Sequence, residues 1–179
     1  MTTILNEVHR MDEQKYNLYQ SLAELDKLFD LSAKEIDKTA CEDLAEKARI
    51  IYEQYPESED IALRYAGILV NLSVVQVNVK ELSNTTNSIK QIFEQFQHSE
   101  DIALHYTMAL VNLSVEQVNV KERKNTANLV KEIFEQFQHS EDIALRYAKT
   151  LVNLSAKQVN VEERKNTANL VKEIFEQFQ

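Results

Sequence analysis

Apolar residues recur at helical spacing through most of the chain. After Ser99 they stand three or four residues apart, as on one face of an α-helix: Ala103, Tyr106, Leu110 and Leu113. A polar interval follows, and then a second apolar stripe whose other side carries Lys and Glu: Val130, Ile133, Phe134 and Phe137. The pattern predicts two amphipathic helices in succession.

Start signals precede both predicted helices. Ser99 is a good N-cap residue, and Glu100 and Asp101 put negative charge on the first turn, where the helix dipole favours it. Asn119 and Glu122 have the spacing of a capping box, with Asn in place of Ser or Thr. Helices of roughly 17 residues, joined by short turns, then account for the segment.

The pair of helices is written several times. Identical "SED" triplets begin at Ser58, Ser99 and Ser140, which stand 41 residues apart. A period of this length is typical of a helical solenoid, in which stacked hairpins bury each other's apolar faces. We therefore predict an all-α fold, an α-α superhelix (solenoid) of four 41-residue helical hairpins forming one domain. Its segments are a leader or cap helix (1–16), a diverged repeat 1 (17–57), repeat 2 (58–98), repeat 3 (99–139) and repeat 4 (140–179).

Composition narrows the class of protein further. One Gly and one Pro in 179 residues argue against β-hairpins and phosphate-binding loops, because both need turn residues. A formal net charge of −9 disfavours binding to nucleic acid, although an acidic mimic of DNA stays open. No apolar run is long enough for a membrane span, and no signal peptide is evident. With Cys41 as the single cysteine, no internal disulfide can form, and we expect a cytoplasmic protein.

Catalytic and metal-binding patterns are missing from the sequence. The four histidines do not combine with Cys, Asp or Glu at the spacing of a metal site. Neither a nucleophile elbow nor a dinucleotide fingerprint occurs. We therefore expect a protein that is not an enzyme and needs neither a metal nor a cofactor.

Two families resemble parts of the repeat. "LAEKARIIYEQYPESEDIALRYAGIL" resembles the join between two tetratricopeptide repeats. Its Ala48, Tyr52 and Pro56 stand like the small residue, the aromatic and the helix-ending proline of that family's second helix. Leu63, Tyr65 and Leu69 resemble the next first helix. This resemblance implies an α-α superhelix with a groove for a protein or peptide.

The competing resemblance is to armadillo repeats. "NLVKEIFEQFQHSEDIALRYAKTLVNLS" is similar to the last helix of one armadillo repeat running into the next repeat. The 41-residue period suits that family, whereas two helices in each copy favour the tetratricopeptide family. Both resemblances imply a surface that binds other proteins.

One stripe along the first helix of each repeat differs between the copies. It runs at positions i, i+3, i+4, i+7 and i+11, and we call it the first-helix stripe. Its residues are Arg64, Gly67, Ile68, Asn71 and Val75; then His105, Met108, Ala109, Asn112 and Glu116; then Arg146, Lys149, Thr150, Asn153 and Lys157. Because buried seams must match for stacking, we expect the stripe to face solvent. It is either a recognition groove or a surface free to drift.

Polar residues of the stripe suggest how a partner would bind. Asparagine recurs in all three copies and would form a ladder able to bind a partner's backbone, unless each one only supports its own helix end. Arg146, Lys149 and Lys157 would hold a partner's carboxylates, unless they only form a solvated face. The predicted groove residues are Arg64, Asn71, His105, Met108, Asn112, Arg146, Lys149, Asn153 and Lys157.

The last helix ends on apolar residues that a further repeat would cover. They are Val171, Ile174, Phe175 and Phe178. Either the natural protein continues with a further repeat, or these residues pack on another chain, with a symmetric homodimer as the commonest arrangement, or the last helix is frayed. A protein- or peptide-binding scaffold is the leading hypothesis. The alternatives are a structural spacer or self-assembling element with an empty groove, and, more weakly, a regulator that binds small molecules or mimics nucleic acid.

Overall fold

The chain is helical throughout the part that the structure describes. The structure is a computed structural model, and it describes residues 2–34, 38–76, 78–117, 119–157 and 160–178, with side chains from Lys15 onward except at residue 38. These ranges contain eight helices and no strand: α1 (Thr2–Ser32), α2 (Lys38–Gln54), α3 (Glu59–Val75), α4 (Val79–Gln95), α5 (Glu100–Glu116), α6 (Val120–Gln136), α7 (Glu141–Ala156) and α8 (Val161–Glu176). The predicted all-α class is confirmed.

The chain divides into two compact units, Met1–Leu72 and Ser73–Gln179. In the first unit α1 packs against α2. The rings of Tyr52 on α2 and Tyr65 on α3 stack with their centroids 5.1 Å apart. Leu25 of α1, Ala48 of α2 and Ile61 of α3 are each 0% exposed, so all three helices contribute to buried structure.

In the second unit each first helix lies between its neighbours. Helix α5 packs against α4, α6 and α7, and α7 packs against α5, α6 and α8. A first helix therefore contacts its own second helix, the second helix of the preceding repeat and the adjacent first helix. This is the stacked-hairpin packing that the period predicts, and it is consistent with a helical repeat array.

First and second helices differ in how much of their surface is buried. On α5, Ile102, Ala103 and Ala109 are all fully buried. On α6, Val130 is fully buried but the adjacent Lys131 is exposed. Burying an isoleucine side chain stabilises the fold by about 1.5–3 kcal/mol. First helices are thus held on most sides, and only a narrow strip of each remains for other contacts.

The helices from α3 onward begin at the residues that the sequence predicts. Helices α3, α5 and α7 begin directly after Ser58, Ser99 and Ser140, and α4, α6 and α8 begin directly after an asparagine. Asn119 accepts hydrogen bonds from the backbone N–H groups of Lys121 (2.9 Å) and Glu122 (3.4 Å). This confirms the asparagine cap.

Ser99 is the N-cap residue of α5, as predicted, but its side chain makes no cap hydrogen bond. Its carbonyl oxygen accepts from the N–H of Ala103 at 3.0 Å. Ser140 does cap α7, because its Oγ accepts from the N–H of Ile143 at 3.4 Å. The same sequence context therefore gives the cap bond in one copy and not in the other.

Helix α1 runs through the predicted boundary between the leader and repeat 1. It continues unbroken from Thr2 to Ser32, and no Gly or Pro precedes Pro56 to interrupt it. Gln20 and Glu24 are exposed where later first helices bury an isoleucine and a tyrosine. At these two positions α1 carries polar side chains in place of core residues, although Tyr16 and Tyr19 of the same helix are also exposed.

Candidate functional site

The first-helix stripe is only partly exposed. Lys149 is exposed, and Arg64, His105 and Arg146 are half-buried. The i+4 position is buried in all three copies, although each copy has a different residue there. Ile68, Ala109 and Thr150 are each 0% exposed.

The expectation that variable stripe positions face solvent is therefore wrong at i+4. Burial there tolerates a hydroxyl because the Oγ1 of Thr150 donates to the carbonyl oxygen of Arg146 at 3.0 Å. The accessible part of the stripe is narrower than predicted, because the i+4 position is buried in repeats 2 to 4 and the i+3 position is also buried at Gly67.

The asparagines of the stripe join consecutive first helices. The Nδ2 of Asn71 donates to the Oγ of Ser32 at 3.1 Å, and Asn153 donates to Ser114 at 3.0 Å. In the second unit Asn112 likewise donates to Ser73 at 2.8 Å. Each bond spans 39 residues, so the same bond is made once per repeat.

The acceptor serines are buried and held in place. Ser114 is 0% exposed, and its own hydroxyl donates to the carbonyl oxygen of Val111 at 2.6 Å. Sequence reasoning considered a partner's backbone or the local helix end for these asparagines, and it missed the neighbouring serine. A usable signal was present, because the "NLS" triplet keeps both residues in repeats 2 to 4 while residues around it vary.

A second set of internal bonds closes the corner within the hairpins of repeats 2 and 3. The Oγ1 of Thr126 donates to the Oε1 of Gln117 at 2.9 Å, and Thr85 donates to Gln76 at 3.0 Å. Thr126 and Gln117 are 3% and 5% exposed. Sequence reasoning also missed these residues, since a threonine inside a helix carries no signal of its own.

Arg64 is neutralised within its own unit. Its Nε donates to the Oδ1 of Asp26 on α1 at 2.6 Å, and its Nη1 donates to the backbone oxygen of Asp60 at 3.1 Å. The carboxylate of Asp60 lies 4.0 Å from the same Nη1. The first arginine of the stripe thus has a counter-ion from the preceding first helix and another on its own helix.

His105 occupies the same stripe position in repeat 3. Burial lowers the pKa of its ring below the ordinary value, although a bond to the backbone oxygen of Asp101 opposes this. The Nδ1 lies 2.8 Å from that oxygen, which can only accept, so Nδ1 carries the proton. A neutral ring at neutral pH follows.

Arg146 occupies the position in repeat 4 and has no counter-ion among the described residues. Its Nε is buried without a hydrogen-bond partner, and no carboxylate of the described chain lies at ion-pair distance. Lys149 follows one turn later and is exposed. Lys157 donates from its Nζ to the backbone oxygen of Val115. Repeat 4 therefore carries the least neutralised cations of the stripe.

The apolar residues predicted for self-association lie in two environments. Ile174 is 3% exposed, so it belongs to the buried face of its own helix, whereas Phe175 is 48% exposed. Val171 and Phe178 are half-buried. Phe175 therefore offers the most accessible apolar surface of this set.

An aromatic contact made in earlier repeats is missing at Phe175. Phe93 lies 5.7 Å from Tyr106 between ring centroids, and Phe134 lies 5.4 Å from Tyr147. Phe175 stands at the same repeat position and has no ring partner among the described residues.

Two open cavities of about 250 Å³ lie away from the stripe. One has an aromatic and aliphatic floor from Phe93, Tyr106 and Ile133, and the other is lined in part by Arg123 and Leu151. No stripe residue lines either of them.

Within the described ranges no group of His, Cys, Asp or Glu is arranged to hold a metal ion, and no helix is long and apolar enough to cross a membrane.

Comparisons with family models, curated proteins and solved structures find no match to this chain. The resemblances to tetratricopeptide and armadillo repeats therefore stay interpretations of the sequence.

Proposed function

We propose that the protein is a non-catalytic helical-repeat scaffold that binds a protein or peptide along the first-helix stripe. The observation that carries the proposal is the contrast between repeats 3 and 4. Their sequences are nearly identical, yet a neutral histidine, a methionine and a glutamate in one become Arg146, Lys149 and Lys157 in the other. These three differences change the charge of the stripe, whereas the buried differences, Thr107/Ala148 and Ala109/Thr150, carry no charge.

The stripe is a better candidate than the cavities. Both cavities are open, and each includes residues that also belong to the core, Tyr106 and Ile133 in one and Leu151 and Leu154 in the other. The accessible stripe positions contribute little to the core, so their identity is free to serve recognition. We place this activity in the cytoplasm, a proposal that the low cysteine content supports.

The test compares two variants with matched charge. The stripe variant combines Arg146→His, Lys149→Met and Lys157→Glu, each of which installs the residue of repeat 3 at the same position. A control variant combines Lys121→Glu and Lys165→Glu, which change exposed residues of the second helices and alter the formal charge equally. We expect the stripe variant to fold because repeat 3 tolerates the introduced residues, and the control variant because both changed lysines are exposed.

Immobilised native chain, stripe variant and control variant are then exposed to the proteins of the source cell. We expect proteins that the native chain and the control variant retain but the stripe variant loses, identified by mass spectrometry. Retention of the same proteins by all three chains would refute recognition through the stripe.

Self-assembly is the second candidate function, and the exposed ring of Phe175 favours it. A second copy would supply the apolar cover that Phe134 receives from Tyr147. Light scattering on the native chain and on Phe175→Asp tests this. A native dimer that dissociates on substitution supports assembly, and Val161→Asp, at a 77% exposed valine of the same helix, serves as the control. A native monomer would remove this candidate.

A further inference from the structure

One salt bridge shows how the stripe binds a carboxylate. Arg64 and Asp26 lie on consecutive first helices, and the Arg64 Nε donates to the Asp26 Oδ1 at 2.6 Å. The side chains are 31% and 59% exposed, so this pair sits at the surface rather than in the core. An arginine at the first stripe position thus meets a carboxylate that comes from the side of the preceding repeat.

Repeat 4 keeps the arginine and lacks the carboxylate. Two periods after Asp26 the sequence has Met108, on the first helix that precedes α7. Asp142 stands where Asp60 stands relative to Arg64, but it forms no ion pair with Arg146 in the described chain. Arg146 therefore has the position of a paired arginine without either partner.

An unpaired arginine at this position is costly for an isolated chain. Its Nε is shielded from solvent without an acceptor, and such a charged donor loses hydration without compensation. Of the guanidinium nitrogens, only the Nε is buried without a partner, so the two terminal nitrogens remain open to an incoming group. A planar guanidinium accepts a carboxylate through two parallel hydrogen bonds.

The charge around Arg146 favours the same kind of ligand. Lys149 is exposed one turn later on α7, and Lys157 is half-buried at the end of the same stripe. These cations lie along one stripe of a chain whose formal net charge is −9. They would attract a carboxylate-bearing segment to this part of the molecule while the remainder repels it.

We propose that Arg146, assisted by Lys149, anchors side-chain carboxylates of an acidic segment of a partner protein. This rests on the proposed function of the stripe and specifies the chemistry of its partner. The incoming carboxylate takes the place that Asp26 takes beside Arg64.

The probe is a dye-labelled synthetic peptide of alternating Glu and Ala, and the same peptide with Gln in place of Glu is the reference. Fluorescence anisotropy measures binding to the full chain at low salt. We expect the Glu peptide to bind and the Gln peptide to bind far more weakly. Arg146→His should weaken binding about ten- to a hundredfold, the range for a hydrogen bond to a charged group.

A second variant supplies the missing carboxylate from within the chain. Met108→Asp places an acidic residue where repeat 1 has Asp26, so it should occupy Arg146 and compete with the peptide. We expect a loss of affinity as large as that of Arg146→His with no decrease in melting temperature. Met108→Asn, which has the same shape without the charge, should bind the peptide nearly as well as the native chain.

Three results would overturn the inference. They are failure of the native chain to bind the Glu peptide, equal binding by Met108→Asp and Met108→Asn, and equal weakening by Lys121→Glu/Lys165→Glu and Arg146→His. The last would show that general charge attraction brings the peptide to another face. Each of these leaves the capture experiment on the stripe intact, so the partner's chemistry and the stripe's role fail separately.

Discussion

Replacing Asn153 by alanine should weaken the junction between repeats 3 and 4. The substitution removes the bond from its Nδ2 to the Ser114 Oγ at 3.0 Å, and a weaker one to the Val111 carbonyl oxygen at 3.5 Å. Ser114 is fully buried, so no water replaces the lost donor. It keeps its own bond to Val111, which limits the damage.

The magnitude follows from these bonds. A net hydrogen bond between neutral groups contributes about 0.5–1.5 kcal/mol, and leaving a buried group unsatisfied costs about 1–3 kcal/mol. Since Ser114 is only partly deprived, we expect Asn153→Ala to lower the free energy of unfolding by about 1–2 kcal/mol. For a chain of this size that lowers the melting temperature by about 2–8 °C.

A double-mutant cycle isolates the bond itself. Asn153→Ala, Ser114→Ala and the double variant are unfolded in urea and followed by circular dichroism at the helix band. We expect a coupling energy of about 0.5–1.5 kcal/mol between the two sites. Ser155→Ala is the control, because Ser155 stands one repeat later and bonds only to the Val152 oxygen at 2.9 Å among the described residues.

The result that refutes this reasoning is a coupling energy below about 0.3 kcal/mol, the size expected of independent sites. If Asn153→Ala also left the melting temperature unchanged but reduced partner capture, the asparagine would serve recognition and not the junction. The experiment thus decides between the two roles of the ladder.

Three further predictions test the corner, the core and the buried tyrosines. Thr126→Val should lower the free energy of unfolding by about 1–3 kcal/mol in urea, because the buried Gln117 oxygen loses its donor. Ile102→Ala, at a fully buried site, should cost about 2–5 kcal/mol in the same assay. Ile50→Ala, at 45% exposure, should cost no more than about 0.5 kcal/mol. Burial raises the pKa of Tyr65 to about 12 from its ordinary 10.0, so the neutral phenol stabilises the fold. That stabilisation is complete below pH 10.0 and is lost as the pH rises toward 12. Helix signal should therefore fall in this range, and Tyr65→Phe should delay the fall.

Helix positions were predictable because their signals are local. "SED" and "NVKE" place a capping residue and acidic first-turn residues next to an apolar run, and every such site starts a helix. Period and composition then fixed the all-α class, since one Gly and one Pro leave few other folds open. Local chemistry was sufficient for this level of structure.

Contacts between repeats were not predictable in the same way. The sequence shows that Asn153 and Ser114 both recur, but their meeting depends on the offset between neighbouring first helices. Exposure at i+4 of the stripe depends on the same offset, which is why Thr150 is buried although it varies between copies. Comparing repeats by sequence also draws attention to what they share and not to a partner that one copy lacks. The missing counter-ion of Arg146 is recognised only by comparison with the pair that Arg64 forms.

The Asn–Ser bond has a consequence for how such a chain lengthens or shortens in evolution. Because each of repeats 2 to 4 carries one asparagine and one serine of this bond, duplicating such a unit adds a donor together with an acceptor. Excision of residues 99–139 would bring Asn153 into register with Ser73, the present acceptor of Asn112. The number of repeats can then change by unequal recombination, and each buried serine hydroxyl at a junction still receives an asparagine donor. The near-identity of repeats 3 and 4 is what a recent duplication of this kind leaves behind.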